Sequence, residues 1–252
     1  MPVISLKHTP QNGKREQPAF AAESGTISRH PALRSKPLDL PQSSKICRCL
    51  RPTCRFHFPA SPHQALPAHC PKCGGPLEIT ELPYSGLPVP SQMASPQPQV
   101  SVLLDNLRSA HNVGSIFRTA DAAGIAHLYL CGITPTPGQS KVAKTALGAE
   151  LRVPWSQTWN AVDLITEEKA RGVQIWALEG GPTAQPLFAQ TLASSAAPII
   201  LILGNEVSGV DPNLLALCHQ VVYLPMLGQK ESLNVSVAFG IAAYYLRFLA
   251  GN

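Results

Sequence analysis

Four cysteines stand in a pattern that suits a metal. Cys49-x4-Cys54-x15-Cys70-x2-Cys73 forms two close pairs separated by one loop. Four thiolates on two short turns can close a tetrahedron around Zn²⁺, and the glycines of Cys70-Pro-Lys-Cys-Gly-Gly75 let the backbone wrap toward it. Cys47 is a spare that can stand in for Cys49, and the spacing alone leaves that choice open. His57, His63 and His69 are weaker ligands, since the thiolates already number four. The competing reading, two disulfides, needs an oxidising compartment that nothing in the sequence signals. A closed four-thiolate site is structural and not catalytic.

A second group of polar residues lies in the other half of the chain. Asn112 and Arg118 are six residues apart, close to two helical turns, which brings them near one face. That Arg can pair with a carboxylate or with phosphate. Gly204, Asn205, Glu206 and Gly209 follow directly on Leu201-Ile-Leu203, the most apolar run of the chain. A carboxylate is rarely left at such a place without a task. Leu224-Pro-Met-Leu-Gly-Gln-Lys-Glu-Ser-Leu-Asn234 is a Gly-containing loop that runs into a helix, with Ser232 as its natural N-cap. None of these segments is a dinucleotide fingerprint or a P-loop, which argues against an NAD-dependent enzyme.

The elements that position these groups can be read from apolar periodicity. Strands are expected at Val100–Leu104, His127–Cys131, Leu151–Trp155, Val173–Leu178, Pro198–Leu203 and Val221–Leu224. Helices are expected at Asn106–Asp121, closed by Gly124, at Trp159–Ala170, at Pro212–Leu217 with Asp211 as cap, and at Ser232–Leu249. This alternation implies an α/β fold, a mostly parallel sheet with helices on both faces. Ligands bind such sheets beyond the C-terminal strand ends, where all three polar segments fall.

Charge and proline divide the chain in the same place. Residues 1–100 carry +6 and the rest −1, and 17 of the 25 prolines precede residue 99. A basic module beside a near-neutral domain points either to a polyanionic partner, most often nucleic acid, or to a solubilising tail. Arg48, Arg51, Arg55 and Lys72 around the cysteines suit the first. The expected layout is a disordered tail at 1–44, a zinc-ribbon-like module at 45–81, a Pro-rich linker at 82–99 and the α/β domain at 100–252. No apolar run reaches membrane-spanning length, a signal peptide is not expected because no apolar h-region follows the basic N-terminal residues, and a cytoplasmic location is expected.

Taken together, residues 100–250 resemble the SpoU/TrmH branch of the SPOUT RNA methyltransferases. The resemblance rests on Asn112 with Arg118, on Gly204, Asn205, Glu206 and Gly209, and on Pro225, Met226, Gly228, Ser232, Leu233, Asn234 and Ala238. It implies a C-terminal deep trefoil knot, an exception to the rule against knots. It implies a homodimer built on the C-terminal helix and the helix after the first motif. The aromatic face of Tyr244, Tyr245 and Phe248 suits that interface or packing within one chain. It further implies transfer of a methyl group from S-adenosylmethionine to a ribose 2′-hydroxyl of tRNA or rRNA. The cofactor would lie against Leu203, Gly204, Leu224, Met226, Gly228 and Leu233. Arg118 would anchor phosphate and stabilise charge, because a guanidinium does not give up its proton. Asn112, Ser232 and Asn234 would orient the hydroxyl and the loops, and Glu206 would position Arg118 or a partner helix. The alternative is a non-catalytic RNA-binding or ribosome-associated protein that keeps the fold.

Overall fold

The computed structural model describes residues 43–60, 65–83, 98–192 and 197–249, and the chain divides into two compact units, residues 1–89 and 90–252. Residues 1–42 of the expected tail, most of the linker and His63 fall outside the described residues. Among those residues no helix is long and apolar enough to cross a membrane.

The first unit is a three-stranded antiparallel sheet in the order β2-β1-β3, from β1 (Ser43–Cys49), β2 (His57–Ala60) and β3 (Leu77–Pro83). Its strands thus reach past the expected 45–81 at both ends. Cys49 ends β1, Cys54 sits on the turn that follows, and Cys70 and Cys73 bracket a second turn closed by Gly74 N–H donating to Cys70 O at 2.8 Å.

The second unit holds a seven-stranded sheet in which every described pairing is parallel, in the order β6-β5-β4-β9-β7-β10-β8. The strands are β4 (Val100–Asp105), β5 (Leu128–Cys131), β6 (Trp155–Thr158), β7 (Gln174–Leu178), β8 (Gln185–Pro186), β9 (Ile199–Leu203) and β10 (Gln220–Tyr223). The helices are α1 (Ala110–Ala123), α2 (Ser140–Ala146), α3 (Ala161–Ala170), α4 (Pro212–Leu217) and α5 (Val235–Tyr244).

Strand alternation sends side chains to two cores. Val100, Val102 and Leu104 pack with Phe117 of α1 and Phe239 of α5 on one face. Leu103, Ile200 and Ile202 pack with Ile165 of α3 and Leu214 of α4 on the other. The helices therefore cover both faces, as the apolar strands require.

Several boundaries differ from expectation. The strand expected at Leu151–Trp155 begins at Trp155, because Ala149–Leu151 closes a 3₁₀ turn first. The seven-residue α2 sits in a segment rich in Gly, Pro and Thr, which hides it from periodicity. The last helix starts at Val235 with Asn234 as cap, not at Ser232. Both residue types cap well. A tertiary bond described below settles the choice for Asn234. Beyond Tyr244 the coil loosens to a π-helical turn over Tyr245–Leu249.

Candidate active site and candidate metal centre

The sheet reverses its order of construction between β4 and β9: the chain lays β5 and β6 on one side of β4, crosses to the other side with β7, and later inserts β9 between β7 and β4. That is a topological switch point, where loops from the two strands part and leave a crevice. The loops here are stitched across it. Asn205 donates from Nδ2 to Asn106 O at 2.6 Å, and Asp105 Oδ2 accepts from Asp211 N at 3.0 Å. Thr134, buried, donates to Leu104 O and accepts from Leu107 N, each at 3.0 Å, which fixes the loop after β5 to the loop after β4.

Glu206 answers the question of its placement. Its carboxylate accepts from Arg108 N at 2.9 Å, from Ser109 N at 3.2 Å and from Asn112 Nδ2 at 2.9 Å. It caps the approach to α1, whose own N-cap Ser109 accepts from Asn112 N. A carboxylate at a helix N-terminus is favoured by the unpaired N–H groups and by the helix dipole. Partial burial pushes the Glu206 carboxyl up, but these N–H donors outweigh it and hold its pKa below the usual value. Glu206 does not pair with Arg118 within this chain, which corrects that part of the expectation. Backbone amides lie closer and hold it.

Asn112, 7% exposed, carries the network onward. Its Oδ1 accepts from Asn234 Nδ2 at 3.1 Å, and Asn234 Oδ1 in turn accepts from Ser236 N at 2.9 Å, opening α5. One chain of polar groups, Glu206–Asn112–Asn234, thus joins all three sequence segments. Arg118 is not in it. Six residues turn a helix through about 600°, roughly 120° short of two turns, so Asn112 and Arg118 do not share a face. Asn112 is buried while Arg118 is exposed and makes no ion pair or hydrogen bond among the described residues.

A cavity of about 810 Å³ opens beside this network, at the C-terminal ends of β7, β9 and β10. Of the expected cofactor residues, Leu203, Gly204, Leu224, Met226 and Leu233 border it, and Gly228 does not. Glu206, Ser232 and Asn234 border it as well, whereas Asn112 and Arg118 do not. Gly204 is required by close approach: a Cβ there would lie 2.3 Å from the backbone of Gly209 and Val210. The volume lies in the range of small-molecule sites, and mixed apolar walls and loop amides suit an adenosyl group.

Sequence reasoning missed Glu179. It follows β7 directly, borders the cavity, and accepts from Val210 N at 3.0 Å, bracing the Gly204–Val210 loop. The signal was available, since Leu178 was read as a strand end and the next residue is a carboxylate.

In the first unit the four Sγ atoms of Cys49, Cys54, Cys70 and Cys73 lie within 4.8 Å of one another. Cys49 Sγ and Cys73 Sγ are 3.5 Å apart, and Cys54 Sγ and Cys70 Sγ are 3.9 Å apart. Zn–S bonds of ~2.3 Å in a tetrahedron set a sulfur–sulfur edge of about 3.8 Å, so the donor set fits zinc. Cys47 lies outside the cluster, buried within β1, which decides the ambiguity in favour of Cys49. The N–H of Gly75 lowers the Cys73 thiol, while burial pushes the neighbouring Cys49 thiol up. A Cβ on Gly75 would meet the sulfurs of Cys49 and Cys73 at 3.3 Å.

Residues 99–244 match the SpoU rRNA methylase family. The 23S rRNA (guanosine(2553)-2′-O)-methyltransferase of Bacillus subtilis is 35% identical over 148 residues, 58% of this chain and 57% of that protein. The tRNA (guanosine(18)-2′-O)-methyltransferase of Escherichia coli is 30% identical over 152 residues, 60% of this chain and 64% of that protein. Among solved structures, an AdoMet-bound rRNA methyltransferase from Sinorhizobium meliloti superimposes with a TM-score of 0.56 at 30% identity, covering 61% of this chain and 57% of that one. The chain thus spans about three fifths of the length of the curated relatives it matches, and its cysteine unit lies outside the family span. With its parallel sheet, its bridged switch point and a family match over more than half its length, the chain belongs to the SpoU rRNA methylase family.

Proposed function

We propose that this chain transfers a methyl group from S-adenosylmethionine to a ribose 2′-hydroxyl of tRNA or rRNA, as a homodimer in the cytoplasm, with a zinc-stabilised N-terminal module. The observation that carries this reading is the Glu206–Asn112–Asn234 chain beside a cavity bordered by Gly204, Leu224, Met226 and Leu233. The AdoMet-bound neighbour supports the cofactor, and the rRNA- and tRNA-modifying relatives support RNA as substrate.

Leu203, Gly204, Leu224, Met226 and Leu233 would hold the cofactor, which when bound supplies a methyl on a cationic sulfur open to attack by oxygen. The chain's own groups do the rest. Ser232 and Asn234 orient the hydroxyl by hydrogen bonds, and the leucine walls exclude water. Asn112 and Glu206 position the loops and touch neither reactant. Arg118 stays protonated and serves as phosphate anchor and charge stabiliser.

The dimer enters because Arg118 does not border the cavity of its own chain. Val237, Ile241 and Tyr244 form an exposed apolar stripe on α5 at helical spacing. Tyr245 is instead spent within the chain, its hydroxyl donating to Phe188 O and Gln190 O. A second copy seated on the stripe is what would bring Arg118 to a cavity. The C-terminal knot belongs to the same reading, supported by the likeness of fold.

The test is transfer of labelled methyl from S-adenosylmethionine to RNA from cells that lack the protein, followed by mapping of the 2′-O-methylated nucleotide. Arg118→Ala is expected to lower transfer by about 10²-fold or more with cofactor binding intact. Undiminished transfer removes Arg118 from its role. Absence of cofactor binding by the folded dimer replaces the transferase with a non-catalytic RNA-binding protein.

A further inference from the structure

Away from the cavity, the C-terminal edge of the sheet carries a surface that the proposed chemistry does not use. β5 and β6 run side by side to Cys131 and Thr158, and Gly132 N–H donates to Thr158 O at 2.9 Å. Just beyond them stand Ile133, 66% exposed, and Trp159, 81% exposed. Trp159 precedes Asn160, the N-cap of α3. A large apolar residue at that position ordinarily folds back onto the first turn of its helix, here onto Leu164. Exposure of 81% excludes such packing, so the ring is held out in water with no task in the fold.

Segments that leave the same end of the sheet carry cations. Residues 106–120 and 132–149 contain Arg108, Arg118, Lys141 and Lys144 and no Asp or Glu. All four side chains are exposed, and none is ion-paired among the described residues. The adjoining acids have partners or are drawn in: Asp121 is taken by Arg152 at 2.6 Å, Glu150 is half-buried, Asp163 accepts from Asn160 Nδ2, and Glu206 accepts from the N–H groups of Arg108, Ser109 and Asn112. Lys141 and Lys144 lie beside the first turns of α1, because α2 packs where Gly114 meets Val142 and Thr145. That end of α1 rises from the same edge of the sheet.

An exposed flat ring at the same sheet edge as exposed cations that form no ion pair among the described residues is complementary to single-stranded nucleic acid, where bases stack on aromatics and phosphates meet cations. A duplex offers no free base face. We propose that Trp159 is a stacking platform for an unpaired base of the RNA next to the nucleotide that enters the cavity, with Arg108, Lys141 and Lys144 taking the phosphates. This rests on the reading of the chain as an RNA methyltransferase. The Gly204 loop leaves β9, three strands from β6 in the order β6-β5-β4-β9, so with strands ~4.8 Å apart the separation is about 14 Å. That is room for the target and a neighbouring nucleotide.

The experiment uses the full chain with Trp159→Ala, Trp159→Phe and Trp159→Leu. Of the three tryptophans, Trp176 is buried and Trp155 half-buried, so the solvent-exposed emission is that of Trp159. Short single-stranded oligoadenylate is expected to quench that emission, and a duplex of equal length is not. Trp159→Ala should weaken oligoadenylate binding about tenfold, as loss of one stacked base does, with Phe restoring most of it and Leu little. In methylation of RNA from cells that lack the protein, KM should rise about tenfold with kcat near wild type, the mark of lost ground-state binding. Cofactor affinity by calorimetry should not change.

Unquenched emission, equal affinity of Trp159→Ala and wild type, full rescue by Leu, or a change of oligomeric state in Trp159→Ala each overturns the platform. Quenching by a protein that never methylates RNA keeps the platform and sinks the transferase reading. Methylation that is indifferent to Trp159 does the reverse.

Discussion

The two units of this chain hold themselves together by different means. In the α/β unit, Phe117, Phe239, Leu103 and Leu104 are fully buried, and two apolar cores lie on opposite faces of one sheet. In the cysteine unit the buried residues, among those described, are Cys47, Cys49, Cys70 and Gly75. No leucine, isoleucine or phenylalanine among the described residues of that unit is buried, and Ile79 and Phe56 are exposed. A sheet of three short strands without an apolar core does not offset the entropy of ordering its chain. The contrast predicts that the first unit folds on a metal and the second on its apolar cores, so they should fail independently.

The largest expected effect breaks the first unit alone. Structural zinc contributes on the order of 10–16 kcal/mol of binding energy that appears as folding energy. Chelation, or Cys70→Ser with Cys73→Ser, should therefore unfold the strands of residues 43–83 and leave the melting of the α/β unit in place. Metal analysis of wild type should give about one zinc per chain. Intact strands after chelation, or one shared melting transition, would show that the units are not independent. The reciprocal change is Phe117→Ala, which should cost about 3–5 kcal/mol by emptying the core beneath α1. Its zinc content should stay at wild type.

What was legible in the sequence follows from the same contrast. The α/β layout could be read because burial on both faces imposes long apolar runs, and because Asp211-Pro212 and Gly124 mark helix ends by local chemistry. The four cysteines could be read because metal geometry fixes their number and spacing. Asn112 and Arg118 do not share a face because six residues fall a third of a turn short of two turns, a phase difference that spacing alone understates. Ser232 and Asn234 are both good caps locally, and the distant Asn112 is what holds Asn234 in place. Glu179 and Thr134 were missed because their partners, Val210, Leu104 and Leu107, are fixed by strand order, which no local pattern encodes.

Within the α/β unit the comparison sharpens from core to loops. Gly204→Ala places a methyl 2.3 Å from the backbone of Gly209 and Val210. Overpacking of this kind costs about 1–3 kcal/mol, and here the shift moves the cavity wall. Cofactor affinity by calorimetry should fall more than stability does, and equal affinity for wild type and variant would detach Gly204 from the site. Asn112→Ala removes the link between Glu206 and Asn234, leaving polar groups short of partners at about 1–2 kcal/mol. Asn112→Asp should do worse than Ala at neutral pH, since it sets a second carboxylate beside Glu206.

The smallest effect concerns Glu206 itself. Its pKa lies below the usual carboxylate value, because N–H donors from Arg108, Ser109 and Asn112 outweigh the burial that pushes it up. A depressed carboxyl contributes stability that is present above the unfolded pKa, near 4.5, and is lost as pH falls through the folded value. At neutral pH the contribution is complete. On acidification below about pH 4.5, through the folded value, the Glu206–α1 bridge should loosen, and cofactor affinity should fall by more in wild type than in Glu206→Gln. Exposure of Glu206 keeps the difference small, since water screens the charge. Glutamine keeps the acceptor oxygen but not the charge, so the variant isolates the charge from the hydrogen bonds. Parallel pH curves for the two proteins would mean that the α1 terminus is held by hydrogen-bond geometry, with no measurable share from the helix dipole.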